Sequence, residues 1–150
     1  MPPRTRREPP ARQDARIRKH LLMAREYWSK APQYLSEGDL KQASEKGWGA
    51  VAQLTKAVAT LRGWDHYDHV AIREAVQALA TERTERSEEI RRGLNAAESL
   101  HGNFYEGHLT MEHTEFNLSE LVPLLNAAWQ LIPAEFTGGA SFDQWVAQGQ

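Results

Sequence analysis

Between Asp39 and Gly63 the chain reads DLKQASEKGWGAVAQLTKAVATLRG, where Leu40, Ala43, Gly47, Val51, Leu54, Val58 and Leu61 recur at spacings of three and four. A half-buried strand would alternate with period two, so this spacing specifies an α-helix with one continuous apolar or small face. Asp39 suits its N-cap and Gly63 its stop. Lys41, Glu45, Gln53, Lys56 and Thr60 form the opposite, solvent-side face. Gly47 and Gly49 each cost about 1 kcal/mol against alanine inside a helix. Close approach of a second helix beside Trp48 offsets that cost, and a ligand groove opened by the missing side chains is the sharper alternative.

The other segments supply partners for this helix. Ile17, Leu21, Ala24, Tyr27 or Trp28, Ala31, Tyr34 and Leu35 mark a first helix, with Pro32 predicting a kink or break near Lys30. The short Ser36-Glu37-Gly38 link makes the first two helices an antiparallel hairpin. The segment GWDHYDH, 63–69, leads to a third helix over about 67–81, carrying Val70, Ile72, Val76 and Leu79, and 82–89 reads as a solvated turn or helix end. A fourth helix starts at Ser87 as N-cap and runs through Ile90, Leu94, Ala97, Leu100 and Phe104 to Gly107. A fifth follows Thr110, with Phe116, Leu118, Leu121, Leu124, Leu125, Ala128, Trp129 and Leu131 on its buried side and Pro123 as a kink.

With no strand alternation and no internal repeat, the expected fold class is all-α: an up-and-down helical bundle of four main helices plus an extra or kinked one. Three regions follow. Residues 1–10, with four prolines, form a disordered basic arm; 11–132 form the bundle; 133–150 form a tail with a short helix around Phe142, Trp145 and Val146. Seven basic residues against two acidic ones give residues 1–19 a balance of +5, leaving −7 for the rest of a chain whose total is −2. A basic arm can meet nucleic acid or an acidic partner, and it can equally be a solvated tail.

No apolar run reaches the roughly 18 residues that span a bilayer, and no apolar signal region follows the basic start. The chain contains no cysteine, which removes disulfides and thiol chemistry and suits a reducing compartment. No membrane partner and a cytoplasmic location are expected.

Four constellations bear on chemistry. Glu98 and His101 form the Glu-x-x-His of bundle di-metal centres, but no second copy exists, and His66 with His69 and Asp65 is a poor substitute; no metal and no cofactor is expected. His101, Asn103, Tyr105 and His108 cluster on the fourth helix as the candidate ligand-binding set. By phase with Leu94 and Phe104, His101 points inward, either as a buried residue fixing helix register or as a general acid or base. On the first reading His101→Ala is mainly destabilising, whereas His69→Ala on its connection is nearly neutral. Arg62 and His69, with six residues between them (Arg-x6-His), could hold a phosphate and move a proton as in a metal-independent ribonuclease, so Arg62, His69 and His101 are the catalytic candidates. Finally, phosphate-binding glycine loops, nucleophile elbows and zinc-protease helices are absent.

Gly38-Asp39, Ala43-Ser44-Glu45-Lys46 with Trp48, and Leu100-His101-x-Asn103-Phe104-Tyr105-Glu106 together resemble the HEPN superfamily (higher eukaryotes and prokaryotes nucleotide-binding), in its archaeal PaREP-like branch. The resemblance covers about residues 24–131. It implies a HEPN-like helical bundle that pairs as a homodimer, an expectation to which the small and aromatic residues Gly47, Gly49, Trp48, Trp64 and Trp129 add contact surface. Many HEPN proteins are ribonucleases with an Arg-x4-6-His motif at a dimer cleft; others bind nucleotides or have no known activity. Here Arg92 precedes His101 by too long a spacing. The expected function is therefore a module that binds a nucleotide, RNA or a protein partner without strong catalysis. A ribonuclease and a purely structural interaction protein are the alternatives.

Overall fold

The computed structural model describes residues 3–5 and 8–150, and it is all-α. In chain order the helices are α1 (Pro10–Ser36), α2 (Leu40–Arg62), α3 (His69–Glu82), α4 (Ser87–Glu106), α5 (Met111–Trp129), α6 (Ala134–Thr137) and α7 (Phe142–Gln148), with a 3-10 turn, Thr84–Arg86, before α4. Among the described residues, no helix is long and apolar enough to cross a membrane.

α2 is the central element, as its sequence implies. Asp39 accepts the Gln42 N–H at 3.2 Å, and Gly63 turns left-handed (φ 71°) so that Trp64 N–H reaches the Ala59 carbonyl at 2.8 Å. α1 packs along one side of α2, with α4 and α5 as a second hairpin on the other and α3 bridging α2 and α4. The helix is therefore covered more fully than a single apolar stripe predicts. Gln53 and Thr60, expected toward solvent, are buried. Both have local partners: Thr60 Oγ1 donates to the Lys56 carbonyl at 2.7 Å, and Gln53 meets His20.

The glycines of α2 serve close packing. A Cβ on Gly47 would lie 2.5 Å from Leu118 Cδ2, and one on Gly49 would lie 2.7 Å from Tyr27 Cδ2, so α5 and α1 approach where side chains are missing. Gly49 also borders a groove, which joins the two readings of these residues.

Several expectations need correction. α1 runs unbroken through Pro32, because Trp28 and Ala31 before the proline and Leu35 after it are seated on the core and hold the last turn in place. Phe116 is 60% exposed instead of buried. α3 begins at His69, where Asp68 Oδ1 accepts the Ala71 N–H at 2.7 Å, two residues later than expected. Ser87 is the first residue of α4 and not its cap, since the 3-10 turn places Arg86 there. In the tail, α7 is begun by a capping box between Ser141 and Gln144 and anchored by buried Phe142 and Val146.

The expected arm differs as well. Positions 1, 2, 6 and 7 lie outside the described residues. The described part is not disordered: the Arg4 carbonyl accepts Asp65 N–H at 2.6 Å, Thr5 makes an isolated antiparallel bridge with Trp64, and α1 already begins at Pro10. The Asp65 N–H, which no helix satisfies, is paired by this segment.

Candidate functional site: an aromatic groove

Trp48 lies in the middle of α2 and is only 7% exposed. His69, the first residue of α3, stacks on it with ring centres 4.8 Å apart and planes 17° apart; His101, from α4, does so at 4.6 Å and 31°. The two imidazoles are 5.1 Å from each other. Rings on opposite faces of one indole would be separated by about twice the stacking distance, roughly 9 Å, so both imidazoles lie on the same side of Trp48.

Each imidazole is held by a carboxylate. His69 Nε2 lies 2.8 Å from Glu98 Oε2, and the other Glu98 oxygen accepts from Arg73 Nε at 3.2 Å. His101 Nδ1 lies 3.3 Å from Glu45 Oε2. Nδ1 of His69 and Nε2 of His101 have no protein partner among the described residues. These carboxylates fix the rings and leave one nitrogen of each for a ligand.

The groove beside this cluster has a volume of about 440 Å³ and is bordered by Tyr27 of α1, Lys46, Gly49, Gln53 and Lys56 of α2, and Tyr67 and Asp68 before α3. Lys46 Nζ sits 5.0 Å above the Tyr27 ring. Burial lowers the pKa of Lys56, with Lys19 nearby adding to the effect. His20 Nδ1 meets Gln53 Oε1 at 2.7 Å. Burial pushes His20 down to about 4, the bond to Gln53 opposing it. His66, edge-on to His20 and stacked on Tyr67, is also lowered, chiefly by burial. Its Nδ1 bonds the Trp64 carbonyl at 2.9 Å, while its buried Nε2 has no partner among the described residues. Glu45 and Asp68 line the groove as well, balancing its two lysines, and the combination of flat rings and a volume of this size accommodates a planar group.

The residues singled out from sequence fall into three places. His69 and His101 converge in the groove. Both are half-buried, so His101 is not the fully enclosed register residue expected, and His69 is the first residue of α3. Arg62 does not line the groove: its guanidinium pairs with both oxygens of Glu82, at 2.6 and 2.8 Å. Asn103, from the candidate ligand set, is fully buried; it donates to Ser44 Oγ at 2.9 Å and accepts Leu109 N–H at 2.7 Å, a strut between α2, α4 and the following loop. Tyr105 is 69% exposed and meets His101 edge-on at 5.3 Å. His108 lies outside the groove near Glu106. Glu98 and His101 share a helix face, but Glu98 turns to His69. Among the described residues no group of three His, Cys, Asp or Glu is placed to hold a metal ion.

The sequence points to a groove near Trp48 only through Gly47 and Gly49 beside it, and it singles out none of Glu45, Lys46, Gln53, Lys56 and His20 as site residues; Glu45, three positions before Trp48, lies on an adjoining part of one helix surface.

Fold and groove together define a small helical-bundle protein with an aromatic cleft, lined by two lysines and two carboxylates, at the junction of α1, α2, α3 and α4. The profile of the archaeal PaREP1/PaREP8 family matches residues 19–125, and the chain belongs to that family. The match includes every groove residue from His20 to His101. No curated protein and no solved structure matches the chain.

Proposed function

We propose that this protein is a HEPN-like dimeric module that binds a nucleotide or a nucleotide unit of RNA in the groove beside Trp48. The observation that carries the reading is the placement of His69 and His101 side by side on Trp48, next to Lys46 and Lys56. Aromatic and imidazole rings stack on a base, and lysines meet phosphate. The resemblance to HEPN proteins supports the same ligand class. It also supports pairing, for which the partly exposed Leu22 and Val122 and the exposed Phe116 offer apolar surface. A nucleotide ligand and a chain without cysteine both suit the cytoplasm.

Metal-independent RNA cleavage is the second reading, because two imidazoles stand close together, each with a free nitrogen and a carboxylate behind it. Arg62, bound to Glu82, is not part of that arrangement.

Equilibrium binding of mononucleotides and of a mixed-sequence RNA to the full chain tests the proposal. Binding that Lys46→Ala and Lys56→Ala weaken supports it; no binding of either ligand at near-millimolar concentration rejects it. Incubation with the same RNA, read on a gel, decides between binding and cleavage. Light scattering tests the dimer, which a mass near 17.0 kDa at all concentrations would exclude.

A further inference from the structure

The two lysines lining the groove stand in different surroundings. Lys46 has carboxylates about it: Glu45 precedes it, and its charge reaches Glu26, which is held below the usual carboxylate range chiefly by the hydrogen bond from Lys30. Lys56 has no such neighbour. Burial lowers its pKa, the charge of Lys19 adds to the effect, and neither lysine makes a hydrogen bond or an ion pair among the described residues. Helix contacts bring the two together. Gln13 Nε2 donates to the Thr60 carbonyl at 2.8 Å and His20 Nδ1 lies 2.7 Å from Gln53 Oε1, so α1 and α2 run side by side with Lys19 and Lys56 between those contacts. Two ammonium groups held close without a carboxylate repel each other, and an anion bound by both reverses the sign of that energy. A half-buried cation of this kind on the wall of a cleft points to a ligand contact.

The distance of this cation pair from the stacked rings restricts the anion further. Lys56 follows Trp48 by eight positions on α2, about 12 Å along the helix axis, and both side chains lean toward the helix N-terminus, so their separation is kept. A nucleotide whose base lies against the imidazoles carries its first phosphate one sugar away from them. Each further phosphate of the chain extends toward Lys56. We propose that Lys19 and Lys56 form the polyphosphate end of the groove, which therefore takes a nucleoside di- or triphosphate laid along α2 with its base at His69 and His101. This rests on the nucleotide reading of the groove and specifies its ligand.

Calorimetric titration of the full chain with AMP, ADP and ATP, at one ionic strength and without divalent cations, tests the inference. Affinity should rise from AMP to ADP to ATP, with ATP bound about tenfold more tightly than AMP through its charge-assisted contacts to the two lysines. Lys56→Ala and Lys19→Ala should each remove most of that advantage. Lys46→Ala, at the other end of the groove, should weaken AMP and ATP by the same factor. Equal binding of AMP and ATP by the unaltered protein overturns the inference, as does an ATP advantage kept whole in Lys56→Ala, which would make it a general attraction between charges. The first comparison needs no variant and so does not depend on how the variants fold. If none of the three nucleotides binds, the nucleotide reading itself fails and the polyphosphate end with it; if all three bind alike, only the polyphosphate end fails.

Discussion

His69 begins α3 and His101 lies near the end of α4, yet their ring centres are 5.1 Å apart on one side of Trp48. Glu98, three residues before His101 on its own helix, binds His69 and not His101. The carboxylate thus ties α4 to α3, and the groove's two imidazoles are linked through the backbone of α4.

The two histidines should behave alike. His69→Ala and His101→Ala are each expected to lower stability by only about 1 kcal/mol, since both side chains are half-exposed. Each should weaken nucleotide or RNA binding roughly tenfold through lost stacking surface. Arg62→Ala, outside the groove, should leave binding unchanged. Thermal melting beside binding titration checks all three. A large loss of stability in His101→Ala alone would restore the register role expected from its helical phase.

Asn103→Ala should be the costly substitution among the residues of the candidate ligand set. It leaves Leu109 N–H without its acceptor and removes the bond to Ser44, a loss of about 1–3 kcal/mol. Urea unfolding should show a lowered midpoint, with the ligand affinity of the remaining folded protein unaltered.

Two glycines of α4 should respond in opposite directions to alanine. At Gly93 the added Cβ would meet Leu124 Cβ at 2.6 Å, an atom that cannot move without its backbone, so overpacking of about 1–3 kcal/mol outweighs the better helix propensity. At Gly102 the nearest atom is His108 Cε1, at 3.8 Å. Gly102→Ala should therefore stabilise by about 0.4–1 kcal/mol. Melting temperatures of the two variants measure the contrast.

Acid should weaken the fold through His20. Its folded-state pKa is about 4 against 6.5 for the free side chain, so below 6.5 the unfolded chain takes up a proton that the folded one refuses. The contribution is fully present above pH 6.5, is lost as pH falls toward 4, and changes no further below that. The groups facing the ring, Gln53, His66, Lys56 and Lys19, include three that disfavour the imidazolium by charge. Unfolding midpoints measured from pH 7.5 to 4 should fall less steeply for His20→Gln than for the unaltered chain; parallel curves would exclude this role.

The local sequence determined most of the secondary structure. The three-and-four spacing, the Asp39 cap and the Gly63 stop involve groups within one turn of each other, and α2 starts and ends where those residues say. The family resemblance came from the same kind of local blocks, and the profile match over 19–125 bears out its PaREP part. Tertiary packing decided the rest. Pro32 allows a break by a local rule, but side chains seated on the core around it keep α1 continuous. Helical phase directed His101 inward without showing that the inner side there is an open groove, and it could not separate the buried strut Asn103 from the exposed Tyr105 two positions later. Above all, the site joins Trp48, His69 and His101 from three helices and Gln53 to His20 on a fourth. Such contacts depend on how whole helices settle against one another, which the spacing within any one of them does not encode.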